Sequence, residues 1–305
     1  MLERGALAAM GTRFEIIVAG EPGSHARAAI EMALKEIEHC HRLWNPFSGD
    51  SVVARLNAAG RSEVPIDGLT HELLTLCQRF QRETEGAFSA TTGSLLASRD
   101  PRRESPCHED LTPESAFEVL QQPPRIRLNT AGLRWDFGAI AKGFALDLAV
   151  EALREAGIGN AFLHGGASSV AVMGQAPGLS GWRVQLPDGE ILELADGDCL
   201  AVSSGHGVYD GDHLVDPVSG DWIENLSLGC WVRGSMAAGV DAWATALLVS
   251  RQRSGLLPEW GIEGEDWAFF ELDATHHTDR DGITGEERAM PHLGPLLSGE
   301  EPALI

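Results

Sequence analysis

Residues 161–231 constrain the fold more than any other part of this chain. Short apolar runs there are broken by glycine-rich points at Gly165-Gly166, 178–181, Asp188-Gly189, Asp196-Gly197, 205–211 and Ser219-Gly220. Breaks this close together favour short strands, and strands joined by tight turns pair antiparallel. Longer helical periods flank the region. Ile30, Ala33, Ile37 and Trp44 mark a helix over 24–43 with Ser24 as its N-cap. Leu73, Leu76, Cys77 and Phe80 mark a second over 69–85, stopped at Gly86. A third runs over 143–156 and stops at Gly157, and a fourth over 236–250.

Further elements fall between these. Thr12–Ala19 (TRFEIIVA) is rich in β-branched and aromatic residues and reads as a strand, as do 125–129 and 268–272. Asp50 or Ser51 caps a short helix ending near Asn57, and Thr112-Pro113-Glu114 has the signature of another helix start. Residues 98–112 read as an exposed loop. Interleaved helices and hairpin-like strand pairs with no clear linker predict an α+β fold, with mixed or antiparallel sheets packed under helices. Residues 1–273 are expected to form a single domain. Residues 274–305, charged and without a period, are expected to be an acidic, loosely ordered tail.

The formal net charge of −22 sets the class of ligand. Such a surface repels nucleic acid and anionic lipid, so an anionic ligand must meet local positive charge, a helix N-terminus or a metal ion. The five cysteines form no C-x-x-C pair, which points to reduced thiols and a cytoplasmic setting. No apolar run approaches membrane-spanning length, and the first ten residues do not read as an export signal.

Two motifs carry candidate chemistry. Asp136-Phe-Gly-Ala-Ile-Ala-Lys142-Gly143 is read as leading from a strand ending at Trp135 into a helix. Free N–H groups at such a start attract phosphate, and Lys142 adds a point charge. Equally, Asp136 caps the helix and Lys142 is merely solvated. Asp241 and Thr245 are spaced i, i+4 and share a helix face. A carboxylate and a hydroxyl suit a hard cation such as Mg²⁺, or else Thr245 bonds back to its own helix and Asp241 is a helix-start acid. A chain with both motifs is expected to handle a nucleotide diphosphate with Mg²⁺. His213-Leu-Val-Asp216-Pro217 reads as a short strand and tight turn in which His213 and Asp216 face one cleft or lie on the surface. Trp135, Trp182, Trp231 and Trp243 are read as core.

In order along the chain, these motifs resemble the ApbE family of FAD:protein FMN transferases. Met10-Gly11-Thr12 looks like the family's opening strand, and FSGDSVVARLN at 47–57 its Ser/Tyr/Ser-Glu…Asn segment. GAFSATTGSLL at 86–96 is similar to its G-x-F-D-x-T-V-G-P-L run, and DFGAIAKG at 136–143 to D-L-G-A-I-A-K-G. Gly165-Gly166 resembles G-G-D, 213–220 resembles H-I-I-D-P-x-T-G, and 240–247 resembles A-D-A-x-x-T-A-L. The resemblance implies that Asp136 and Lys142 contact FAD, with Met10, Phe47 and Val215 against the flavin nucleotide. It implies Mg²⁺ on the Ala139 carbonyl, Asp241 and Thr245, with His213 as general base. The reaction implied moves FMN from FAD to a Thr or Ser hydroxyl of an acceptor protein and releases AMP. The alternatives are FAD hydrolysis to FMN and AMP, or FAD binding without chemistry. The chain departs from the family pattern at Ala167 and Ser89, where acids are expected, at Phe47 for the tyrosine, and at 98–104, an Arg-rich loop where a Trp-containing stretch is expected.

Overall fold

The computed structural model describes residues 2–97, 116–204, 214–223, 227–255 and 266–271. The chain opens with a hairpin of β1 (Leu2–Ala9) and β2 (Thr12–Ala19), then α1 (Gly23–Trp44), α2 (Val52–Ala58), β3 (Glu63–Pro65), α3 (Gly68–Glu83) and α4 (Gly93–Ala97). Next come β4 (Phe117–Leu120), β5 (Arg125–Leu128), α5 (Ala141–Glu155), β6 (Ala161–Gly165) and β7 (Ser169–Met173). Then follow β8 (Trp182–Gln185), β9 (Ile191–Leu194), β10 (Cys199–Ser204), β11 (Leu228–Gly234), α6 (Ala237–Ser254) and β12 (Asp266–Glu271).

A seven-stranded sheet in the order β1-β2-β6-β7-β10-β11-β12 forms the centre, and every neighbouring pair in it is antiparallel. Its strands alternate between two cores, as a period-two strand must when both faces are covered. Phe14, Ile16 and Val18 of β2, Leu163 of β6 and Ala201 of β10 face the core that α1, α5 and α6 complete. Ile17, Phe162, Val170, Val172 and Leu200 face a second core under the β8–β9 hairpin, where Trp182 is fully buried. A small sheet, β3-β5-β4, stands apart. The α+β expectation therefore holds.

Several local expectations are corrected. The N-cap of α1 is Pro22, with no side-chain cap bond; Ser24 is already inside the helix. The leading residues are β1, an edge strand whose sequence lacks the usual β-branched signal and which forms because β2 offers it a full ladder. A helix opening at Thr112 is not carried forward, because 117–120 is strand β4 pairing with β5, although 112–115 themselves lie outside the described residues. Trp135 ends no strand. The segment is irregular and is tied elsewhere, Trp135 N donating to Asn57 Oδ1 at 2.9 Å and Asp136 N to the Ala90 carbonyl at 2.9 Å. Other readings hold: Ser51 caps α2 by accepting from Ala54 N, and all four named tryptophans are buried. The loop expected at 98–112 and the tail at 274–305 lie outside the described residues.

Candidate functional site

The site is built where α5 and α6 cross. Gly143, in the first turn of α5, lies so close to α6 that an added Cβ would stand 2.1 Å from the Ala237 carbonyl oxygen. Asp147, one turn further along α5, accepts from both Ala237 N (2.8 Å) and Ala238 N (2.9 Å). It thereby satisfies two of the orphan donors at the start of α6. This fixes Asp241, the fifth residue of α6, over the start of α5.

Asp241 is 5% exposed. Its Oδ2 accepts from Gly143 N at 2.8 Å and its Oδ1 from the Ser169 hydroxyl at 2.7 Å. Lys142 Nζ stands 3.7 Å from Oδ2 and donates to the Gly138 carbonyl at 2.9 Å. Burial raises the Asp241 pKa above the ordinary carboxylate value, opposed by Lys142, Ser169 and the Gly143 N–H. The buried carboxylate is thus held by two neutral donors, with one lysine as its counter-ion.

Two further oxygens of the candidate motifs have no hydrogen-bond partner among the described residues. The Gly143 N–H turns to Asp241 instead of the Ala139 carbonyl four residues back, and among the described residues no hydrogen bond reaches that carbonyl. The partly buried Thr245 hydroxyl likewise has none, so it does not bond back to its helix as Thr75 and Thr84 do. A carboxylate, a hydroxyl and a backbone carbonyl are the donor types a hard cation such as Mg²⁺ takes.

The surrounding turns close in on this point. Ser169 begins β7 directly after the turn at Gly165-Gly166. Gly166 has φ +64° and no room for a side chain, since an added Cβ would sit 2.3 Å from Thr12 Oγ1. The Met10–Gly11 hairpin tip is thus packed against that turn. Met10 itself holds φ +51°, and its N–H donates to His41 Nδ1 at 3.2 Å. The Trp44 ring at the end of α1 packs edge-on against Phe137 and Phe144, which brings the following turn to the Asp136 segment; Phe47 on that turn is 53% exposed. Asp136 Oδ1 accepts from Gly138 N at 2.9 Å and so shapes the turn ahead of α5. At Ser89, where the family pattern has an acid, the hydroxyl accepts from Thr91 N at 3.2 Å.

Val215 is nearly buried and bridges Trp222. Asp216 does not lie on the surface. It is buried, and Arg253 near the end of α6 binds both its oxygens, Nε to Oδ2 at 2.7 Å and Nη2 to Oδ1 at 2.5 Å. His213 lies outside the described residues. Sequence reasoning missed Ser169, Asp147 and Arg253. Asp147 carries a readable signal, being a lone acid in the apolar run of α5; the other two are joined to their partners only by the fold.

A model of the ApbE family matches residues 10–257. Among curated proteins, the FAD:protein FMN transferase of Rhodobacter capsulatus is 28% identical over 265 residues, covering 79% of this chain. That of Treponema pallidum is 25% identical, covering 75% of this chain and 73% of its own. The chain spans half the length of the first relative. Among solved structures, the Pseudomonas stutzeri flavinyl transferase ApbE superposes with a TM-score of 0.71 at 21% identity, over 90% of this chain and 97% of that one. The Thermotoga maritima ApbE protein gives 0.72 at 24% identity, over 84% and 89%. The family match spans both motifs and the crossing of α5 and α6 that joins them: this chain belongs to the ApbE family.

Proposed function

We propose that this protein is a Mg²⁺-dependent FAD:protein FMN transferase, moving FMN from FAD onto a Thr or Ser hydroxyl of an acceptor protein and releasing AMP. One observation carries the reading. The buried Asp241 carboxylate is held over the start of α5 by the Gly143 N–H and the Ser169 hydroxyl, and the Thr245 hydroxyl one turn on and the Ala139 carbonyl are proposed to complete its oxygen set. They are the residues proposed to hold Mg²⁺, which when bound supplies charge neutralisation on the pyrophosphate.

The chain's own residues do the rest. Ser169 and the Gly143 N–H aim the Asp241 carboxylate. Lys142, which shares Asp241 and the Gly138 carbonyl in this structure, is proposed to meet a phosphate oxygen. The Asp136 segment and the Met10 tip are proposed to flank the flavin nucleotide, with Phe47 and Val215 as apolar walls. His213 is proposed to take the proton of the attacking hydroxyl, the usual role of a base in transfer to an alcohol. We place the reaction in the cytoplasm: the four described cysteines are buried free thiols, and no described helix is long and apolar enough to cross a membrane.

The test combines purified protein, FAD, Mg²⁺ and a candidate acceptor domain. Covalently flavinylated acceptor with stoichiometric AMP supports the transferase. Free FMN with AMP in the presence of acceptor makes it a hydrolase. Bound, unchanged FAD across a set of acceptors makes it a binding protein.

A further inference from the structure

We infer that Arg253 is a positioning residue for the turn at 214–223, acting through Asp216; the link to catalysis rests on the reading above. Asp216 organises that turn. Its N–H donates to the Asp221 carbonyl at 2.8 Å, its carbonyl accepts from Gly220 N at 2.8 Å, and its Oδ1 accepts from Val218 N at 2.9 Å. Ile223 N donates to the Leu214 carbonyl at 3.0 Å, and Val215 bridges Trp222, closing a small hairpin. Asp216 is only 3% exposed. Arg253 reaches it from α6 with the planar fork that fixes a carboxylate in position and in angle.

The helix that carries this fork also carries Asp241 and Thr245. Arg253 follows Thr245 by two turns and Asp241 by about three, or roughly 12 Å and 18 Å along the axis. One element therefore carries both the candidate cation ligands and the arginine that holds Asp216. A buried ion pair is a poor way to gain stability, since apolar residues of the same shape do as well or better. What it supplies is a defined geometry, which the base proposed at the start of this turn would need.

The experiment compares wild type, Arg253→Met and Arg253→Lys in the full chain. Amide hydrogen exchange is read at 214–223 and 237–245, Mn²⁺ affinity is titrated, and kcat and KM for FAD are followed by AMP release with Mg²⁺. The expected result for Arg253→Met is faster exchange at 214–223 alone, Mn²⁺ affinity within about twofold of wild type, and kcat/KM lower by about 10²-fold, as for a displaced reacting group. Arg253→Lys keeps the charge without the fork and should recover part of the loss at an unchanged melting temperature. Unchanged exchange at 214–223 in both variants overturns the tether. Faster exchange with kcat/KM unchanged makes the pair merely structural. If Arg253→Met fails to fold, Arg253→Lys alone decides by the same two readouts. A wild-type protein that neither cleaves FAD nor flavinylates an acceptor defeats the functional reading and confines the inference to the exchange result.

Discussion

Gly143→Ala tests the crossing of α5 and α6 on which the site depends. The added Cβ would lie 2.1 Å from the Ala237 carbonyl oxygen, about 1.3 Å inside the 3.4 Å at which ordinary contact begins, and 2.7 Å from Ala238 N. These neighbours are backbone, so the helices themselves must part. Parting them strains the two Asp147–α6 hydrogen bonds and the Gly143–Asp241 bond together. Overpacking costs about 1–3 kcal/mol and a lost charged hydrogen bond about 1.5–3 kcal/mol. Alanine's better helix propensity returns up to about 1 kcal/mol. The net loss of about 2–5 kcal/mol corresponds to a melting temperature lower by roughly 5–15 °C. Thermal unfolding by circular dichroism, with and without Mn²⁺, reads both halves of the argument. Wild type at a hundredfold excess over Kd should gain about 2.7 kcal/mol from the metal, and the variant should lose most of that gain. A melting temperature within about 2 °C of wild type, with full metal stabilisation, would refute the reasoning.

Other outcomes follow from the same contacts. Ser169→Ala removes the donor to Asp241 Oδ1 and should weaken Mn²⁺ binding about 10–100-fold in calorimetry while leaving the far-ultraviolet spectrum unchanged. Lys142→Met removes the cation that neutralises Asp241 and should tighten Mn²⁺ binding in the absence of FAD while weakening FAD binding; looser metal binding would contradict the counter-ion role. Burial, opposed by the Ala238 and Ala237 N–H groups, pushes the Asp147 pKa from 3.8 to about 6. The folded state therefore binds more protons than the unfolded one between about pH 4 and 6, so raising the pH through that window costs stability, by about 3 kcal/mol. Denaturant titrations should show this loss in wild type and a smaller one in Asp147→Asn.

Much of the fold was legible because periodicity reports burial. The TRFEIIVA strand matches β2 residue for residue, and α5 and α6 fall near their expected bounds. What escaped was structure created by partners. The β1 sequence gains its strand from β2, and β4, which follows the helix start read at Thr112, gains its own from β5. At the site, Asp241 and Thr245 were readable as an i, i+4 pair, and Lys142 and Gly143 as a helix start. The bond that joins them, from Gly143 N to Asp241, spans 98 residues and leaves no trace in local sequence. Asp216 was read with His213 as facing one cleft or lying on the surface, and the structure turns it to Arg253, 37 residues away, because a buried carboxylate needs a cation.

The most direct test of the account is AMP release from FAD as a function of Mg²⁺, for wild type and Asp241→Ala side by side, with EDTA controls. The account predicts saturable Mg²⁺-dependent release by wild type that EDTA abolishes, and none by the variant at any Mg²⁺ concentration. Undiminished release by Asp241→Ala, or by wild type in excess EDTA, would contradict it.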